Sequence, residues 1–204
     1  LASDLDEYDK ASILKVGELM AVMELIPEDV DLFELVLDLY EEQILGLYDP
    51  ETEQIYLIDG QRHFRSGMEV TLAHEYIHAL QQQHFDIASL GVKGKGDWEA
   101  EDALSALIEG DAYLHSLNYT PEFLTAEDRE FMLTGNGGSN GVFETAPYAV
   151  RQLFLFAPLE GLKFVAYLSR HGGHAAINDA FLDPPVTTEQ ILHPEKYLSK
   201  EEAI

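Results

Sequence analysis

The chain of 204 residues contains no cysteine and little positive charge. Without thiols, neither a disulfide nor a thiolate metal site can form, so any bound metal ion must use histidine, aspartate or glutamate ligands. Lysine and arginine together number 12 against 38 aspartates and glutamates, which gives a formal net charge of -26. Nucleic-acid binding requires clustered cationic side chains, so we expect no nucleic-acid partner.

Long apolar runs are also absent from the sequence. No stretch approaches the roughly 20 apolar residues needed to cross a bilayer, so we predict no membrane span. Hydrophobic residues make up 46% of the chain, which is typical of a globular protein. We therefore predict one domain over residues 1–204, with a helical pair (1–43), a central part (44–118) and a helical C-terminal part (119–204).

The chain begins at Leu1 and carries no leader in which charged residues precede an apolar run. This is the pattern expected of a mature chain from which a signal peptide has been removed. Secretion or residence in a cell envelope is compatible with it, and the localisation stays open.

The spacing of apolar residues predicts mostly helices. Residues 4–25 and 29–43 place apolar side chains three or four positions apart, which predicts two helices separated at Pro27. Two or three further helices are predicted over 147–182, interrupted by Pro158 and Gly161 and stopped at Gly172-Gly173 and Pro184-Pro185.

Between these helical regions we predict a hairpin and two long helices. The β-favouring runs 44–48 and 54–58 flank a turn-forming Asp-Pro-Glu-Thr cluster, which predicts an antiparallel β-hairpin. Helices are predicted over 67–83 and from about 97 to 118. Farther along, Thr125 suggests a short capped helix, and the glycine-rich stretch Gly135–Gly141 is a candidate lid.

The helix predicted over 67–83 contains the pattern H-E-x-x-H at His74, Glu75 and His78. Positions four apart on a helix differ by only about 40° around its axis, so both imidazoles can bind one zinc ion. Glu75 is rotated by about 100° from His74, which suits a general base that activates a water molecule better than a ligand. The pattern predicts a Zn²⁺ cofactor held by the two histidines.

A catalytic zinc ion normally has three protein ligands, and two residues compete for the third position. His84 completes the metzincin spacing H-E-x-x-H-x-x-G-x-x-H, except that Gln81 stands where the pattern has glycine. Without the glycine turn, a continuing helix points His84 about 80° away from His74. The other candidate, Glu109, lies on the next predicted helix and is favoured.

An H-E-x-x-H helix that follows a hairpin and precedes a helix bearing E-G-x-A, here Glu109 to Ala112, resembles the gluzincin metallopeptidases. The resemblance covers roughly residues 44–118 and is greatest to the peptidase MA-like group. It implies an α+β, mainly helical zincin-like fold with a small antiparallel hairpin before the active-site helix. It also implies Glu109 as third zinc ligand and a peptide or protein substrate.

The sequence departs from the thermolysin-like form of this pattern at one point. That form has an aspartate four positions after the ligand glutamate, where it orients a histidine, and this chain has Tyr113 there. Asp111 lies about 200° round the helix from Glu109 and cannot act from the same face. The residue that orients the histidines is therefore not given by the resemblance.

The resemblance also implies how the reaction proceeds. Gluzincins often stabilise the oxyanion with a tyrosine or histidine from the C-terminal half, for which Tyr148 and His193 are the candidates. They bind extended peptides along a strand edge, which points to residues 54–58. The predicted activity is zinc-dependent peptide hydrolysis with Glu75 as base. The rival is a non-catalytic zincin-like, zinc-binding domain of a secreted or cell-envelope protein, although such a site has no use for Glu75.

Overall fold

The computed structural model describes residues 7–57, 66–94, 96–123 and 141–201. The described part is mainly helical and contains a two-stranded antiparallel sheet, which confirms the predicted α+β class and the hairpin before the long helix. In chain order the elements are α1 (Glu7–Val22), α2 (Leu32–Gln43), β1 (Gly46–Asp49), β2 (Gln54–Leu57), α3 (Ser66–Phe85), α4 (Ile87–Gly94), α5 (Trp98–Phe123), α6 (Val142–Thr145), α7 (Tyr148–Leu155), a π-helical turn (Phe156–Glu160), α8 (Gly161–Leu182), α9 (Thr188–Leu192) and α10 (Pro194–Leu198).

The chain divides into two compact units. The first consists of Leu1–Ile44 and Asn136–Phe154, and the second of Leu45–Gly135 and Leu155–Ile204. The single folding domain expected from the chain length stays a prediction. The candidate lid lies outside the described residues except for its last glycine, and so does the helix predicted near Thr125.

The first unit has its own apolar core. The helix α2 begins three residues later than predicted because Asp31 caps it, accepting hydrogen bonds from the backbone amides of Phe33 and Glu34 at 3.0 and 3.1 Å. At the other end of α2, Glu42 accepts from the first amides of α6. The buried residues of this core are Met20, Ile26, Leu32, Leu39, Ala146 and Val150.

The second unit is built around α5, which packs against both α3 and α8. The apolar side of α5 packs against α8 in a buried core. The short helices α9 and α10 also contribute buried residues to this core. Its buried residues are Ala103, Ala106, Leu107, Phe164, Val165, Leu168, Ile177, Ala180, Phe181, Ile191 and Tyr197.

The hairpin of the second unit pairs β1 with β2 in antiparallel register, with Tyr48 opposite Ile55. The turn is closed by Asp49, whose carboxylate accepts from the amides of Glu51 and Thr52 and from the Thr52 hydroxyl. The Thr52 hydroxyl bond is the main cause that lowers the pKa of Asp49. This Asx-type turn explains why the Asp-Pro-Glu-Thr cluster forms a hairpin.

The predicted helical region 147–182 and its interruption at Pro158 are confirmed, whereas the stop predicted at Gly172-Gly173 is a kink in a helix that continues to Leu182. Pro158 lies in the π-helical turn, because proline supplies no amide hydrogen to a regular helix. The following helix, α8, is kinked at Gly173, where φ of 63° lies in the left-handed region that favours glycine. Among the described helices, none combines the length and the apolar character needed to cross a membrane.

Two glycines allow α5 and the start of α8 to approach at the level of their backbones. A Cβ atom on Gly161 would lie 1.9 Å from the carbonyl oxygen of Ala106, and one on Gly110 would lie 2.2 Å from the carbonyl oxygen of Gly161. Both distances are far shorter than a van der Waals contact, and in each case the opposing atom belongs to the backbone and cannot rotate away. The crossing of these helices therefore requires glycine at both positions.

We expect Gly161→Ala to lower the free energy of unfolding by at least about 1–3 kcal/mol, because the added methyl group forces the helices apart. The matched control is Gly91→Ala in α4, where a Cβ would meet nothing within 4 Å. Because alanine is the better helix former, this control should gain about 0.5–1 kcal/mol. Urea unfolding of both variants measures the difference, and equal stability would contradict the close crossing.

Candidate metal centre

Three potential ligands converge on one point between α3 and α5. His74 and His78 are one turn apart on α3, and their Nε2 atoms are 3.0 Å apart. Glu109 on α5 places Oε2 at 3.3 Å from Nε2 of His74 and Oε1 at 3.6 Å from Nε2 of His78. This group of two imidazoles and one carboxylate could hold a metal ion. The structure thus brings together the three residues that were predicted as ligands.

The packing of α5 fixes where Glu109 lies. Leu107, two positions before it, is fully buried in the core, and Gly110, directly after it, contacts the backbone of Gly161. Glu109 itself faces α3 and keeps 33% of its side chain exposed. The carboxylate is therefore held by a rigid helix and remains accessible from one side.

The electrostatic surroundings favour the ionised form of Glu109. Burial alone would raise the pKa of this carboxyl, but the hydrogen bond with His74 and the nearby charges of His78 and His74 outweigh burial and lower the pKa below its usual range. A metal ion requires an ionised carboxylate as ligand. Glu109 is therefore in the ionised form that a metal ligand requires.

Glu75 directly follows His74 on α3, and its side chain is held by the hairpin. Its side chain is buried, and its Oε2 accepts a hydrogen bond of 2.7 Å from the backbone amide of Tyr48 in β1. The approach is close enough to require Gly46, on which a Cβ would lie 2.6 Å from Cγ2 of Thr71 and 3.2 Å from Cγ of Glu75. The carboxylate is thus fixed by β1 and is not one of the three potential ligands.

Tyr113 contacts the ligand group, a position that the sequence pattern did not predict for it. It stands one turn beyond Glu109 on α5, and its ring meets the His74 ring edge to face with centroids 4.8 Å apart. Burial raises the pKa of Tyr113, and the charges of Glu109 and Glu75 raise it further. The hydroxyl therefore stays protonated at neutral pH and can donate a hydrogen bond. Its position four residues after the predicted ligand was the available signal.

A second group of polar residues lies behind His78. The side chain of Gln81, which is 2% exposed, lies 2.9 Å from Nδ1 of His78 and donates to Asp111 at 2.8 Å. Asp111 in turn is 3.2 Å from Nε2 of His115, and this hydrogen bond raises the pKa of His115 despite partial burial. The sequence marks Gln81 as the residue that replaces the metzincin glycine, and its spacing of three from His78 is the local feature that places it near that histidine.

None of the remaining candidates is a member of the ligand group formed by His74, His78 and Glu109. His84 is exposed, and α3 continues to Phe85 without the turn that would bring His84 back to the other histidines. His193 follows α9 and is 55% exposed, with Nδ1 at 3.6 Å from the carboxylate of Glu195. Tyr148 begins α7 in the first unit and is 69% exposed. The oxyanion roles of His193 and Tyr148 stay predictions.

Comparison with known proteins finds no relative for this chain, because no family model matches it and no curated protein or solved structure is significantly similar. Proposals about its chemistry therefore rest on the residues described above.

We expect the chain to bind about one Zn²⁺ ion, and Glu109→Ala to weaken that binding by more than about 100-fold. Loss of a direct ligand should exceed the 10–100-fold effect of losing an outer partner. His84→Ala is the matched control and should bind zinc as the parent does. Competition with a chromogenic chelator measures both affinities. Loss of binding in His84→Ala with retention in Glu109→Ala would establish the metzincin ligand set instead.

Proposed function

We propose that this protein is a zinc-dependent metallopeptidase with a gluzincin ligand set and a zincin-like arrangement of its second unit. One observation carries the proposal: His74, His78 and Glu109 converge on one point, and Glu75, the neighbour of His74 in sequence, has a buried side chain held by the hairpin. Glu75 favours an enzyme over a purely structural metal site, because a structural site does not require a base.

The donor set and its dimensions support zinc as the metal. Two imidazoles and one carboxylate form a three-ligand set that catalytic zinc sites use, with a fourth position left open. Ligand atoms about 2.0–2.1 Å from zinc in tetrahedral geometry stand about 3.3 Å from one another. The Nε2 atoms of His74 and His78 are 3.0 Å apart, and Oε2 of Glu109 lies 3.3 Å from that of His74, both close to that value. The other oxygen of Glu109, Oε1, lies 3.6 Å from Nε2 of His78, and one ligand atom from each residue lies within 4.8 Å of the other two.

The proposed reaction adds water to a peptide carbonyl and breaks the C–N bond. Zinc in such a site supplies Lewis acidity, which polarises the carbonyl and acidifies water. Glu75 keeps Oε2 on the amide of Tyr48 and uses Oε1 to accept the proton of the attacking water. The same oxygen then delivers the proton to the leaving amine, so the products are a carboxylate and a free amine.

Tyr113 is the donor that best suits the developing oxyanion. Its ring packs on His74, its raised pKa keeps the hydroxyl protonated, and 39% of the residue is exposed. A hydrogen bond to the oxyanion from a preorganised donor stabilises the transition state more than the substrate. Tyr113 therefore replaces Tyr148 and His193 as the first choice for this role.

The choice of peptides as substrates rests on the resemblance to gluzincins and on the hairpin. Because the Tyr48 amide of β1 is bound by Glu75, β2 presents the more open edge for pairing with an extended chain. Of the predicted cleft residues 54–58, the first four form β2 and the last lies outside the described residues.

We expect Glu75→Gln to reduce peptide hydrolysis by about 10²–10⁴-fold while zinc content and thermal stability stay close to those of the parent. Glutamine keeps the side-chain volume and can still accept from the Tyr48 amide, but it cannot take a proton from water. Cleavage of a disordered protein, with and without chelator, provides the measurement.

The matched control is Glu69→Gln, an exposed position on the same helix, which should retain full activity. Equal cleavage by Glu75→Gln and parent, with both sensitive to chelator, would show that Glu75 is not the base. If parent and variant both hold zinc but cleave nothing in a broad peptide library, the non-catalytic zinc-binding domain becomes the better assignment.

We expect Tyr113→Phe to lower kcat by about 10²–10³-fold, as is found when one oxyanion donor is removed, with zinc affinity unchanged. Phenylalanine preserves the ring packing on His74, so the effect isolates the hydroxyl. Tyr148→Phe and His193→Gln serve as parallel variants in the same kinetic assay. A larger loss in either of these than in Tyr113→Phe would return the role to the C-terminal half of the chain.

A further inference from the structure

The hydrogen bonds behind His78 form an ordered chain that joins α3 to α5. Oε1 of Gln81 lies 2.9 Å from Nδ1 of His78. The Nε2 atom of Gln81 donates to the carbonyl oxygen of Ile108 at 3.0 Å and to Oδ2 of Asp111 at 2.8 Å. With 2% of Gln81 and 6% of Asp111 exposed, these bonds are largely shielded from water.

The partners of Gln81 fix the orientation of its amide. A carbonyl oxygen and a carboxylate oxygen can only accept hydrogen bonds, so the NH₂ end of Gln81 must face Ile108 and Asp111. Both amide hydrogens are then used, and Oε1 is left facing His78. Because this oxygen can only accept, the Nδ1 atom of His78 must carry the hydrogen.

We infer that Gln81 is a positioning residue of the metal centre, selecting the His78 tautomer that directs a lone pair on Nε2 toward the metal. A neutral imidazole with hydrogen on Nδ1 has its lone pair on Nε2, the atom that faces Glu109 at 3.6 Å. Partners of this kind also hold the ring in orientation and increase metal affinity. The inference rests on the proposed zinc site.

The geometry explains why a glutamine is needed at this place. Asp111 is two positions beyond Glu109, about 200° round α5, so it cannot reach His78 from the face that carries the ligand. Gln81 lies three positions beyond His78 on α3, on the same side as the histidine. Its side chain therefore spans the two helices, and Asp111 holds the far end of the amide.

The first test measures zinc affinity by competition with a chromogenic chelator. Gln81→Met keeps an unbranched side chain but neither accepts from His78 nor donates to Asp111, and we expect it to bind zinc 10- to 100-fold more weakly. The control Gln83→Met makes the same exchange on the exposed face of α3 and should match the parent. Thermal unfolding of each variant verifies that it is folded.

The second test uses ¹⁵N NMR of the histidine side chains in the parent protein without added metal, at a pH where the imidazoles are neutral. The inference expects a pyrrole-like Nδ1 and a pyridine-like Nε2 for His78, and the opposite pattern overturns it. If Gln81→Met does not fold, this NMR measurement alone tests whether Gln81 selects the His78 tautomer. A purely structural role for Gln81 would leave the zinc affinity of a folded variant unchanged.

The outcomes separate this inference from the proposed function. Loss of an outer partner is expected to weaken zinc binding by at least about 10-fold. If the parent binds zinc and the folded Gln81→Met variant has a zinc affinity within about threefold of the parent's, the positioning role is overturned and the zinc site stands. If the parent binds no zinc, the proposed function fails, and the inference fails with it. A weakening of at least 10-fold that Gln83→Met does not share, together with the expected tautomer, supports both.

Discussion

The packing of α5 against both α3 and α8 is the constraint on which the rest of the second unit depends. Glu109 and Gly110 are neighbours in sequence, yet one faces the histidines of α3 and the other contacts the backbone of Gly161. A shift of α5 that relieved the glycine contact would also displace the carboxylate relative to His74 and His78. The apolar core thereby sets the dimensions of the polar site.

That site gathers two carboxylates and two imidazoles in a small volume. Two imidazole nitrogens and a carboxylate stand within 3.6 Å, and Glu75 adds a second carboxylate nearby, in a chain whose net charge is already -26. Holding like-charged or electron-rich groups together costs free energy, which a bound cation offsets. The rigid helix crossing and the hydrogen bonds from Tyr48 and Gln81 keep these groups in place.

The sequence predicted those parts of the structure that depend on local spacing. The spacing of apolar residues predicted the helix α3 with His74 and His78 on one face. The Asp-Pro-Glu-Thr cluster predicted the hairpin. The prediction of Glu109 as a ligand also depended on the resemblance to gluzincins, because local sequence spacing does not relate a residue of α5 to the histidines of α3. The bond from Gln81 to Asp111 joins residues 30 positions apart, and that from Tyr48 to Glu75 joins residues 27 apart. Such contacts depend on how helices cross and how the hairpin docks, which apolar periodicity does not encode.

The bond between the Tyr48 amide and Glu75 has a consequence for how the sequence of this site can change. A backbone donor is supplied by every residue except proline, so the side chain at this position can vary while the carboxylate keeps its partner. Successive amides of a strand point to opposite edges, so a shift of one residue would turn the donor away. Apart from Gly46, whose missing side chain permits the close approach, the length of the hairpin turn rather than the identity of the residue at position 48 is therefore what evolution must conserve to keep Glu75 in position.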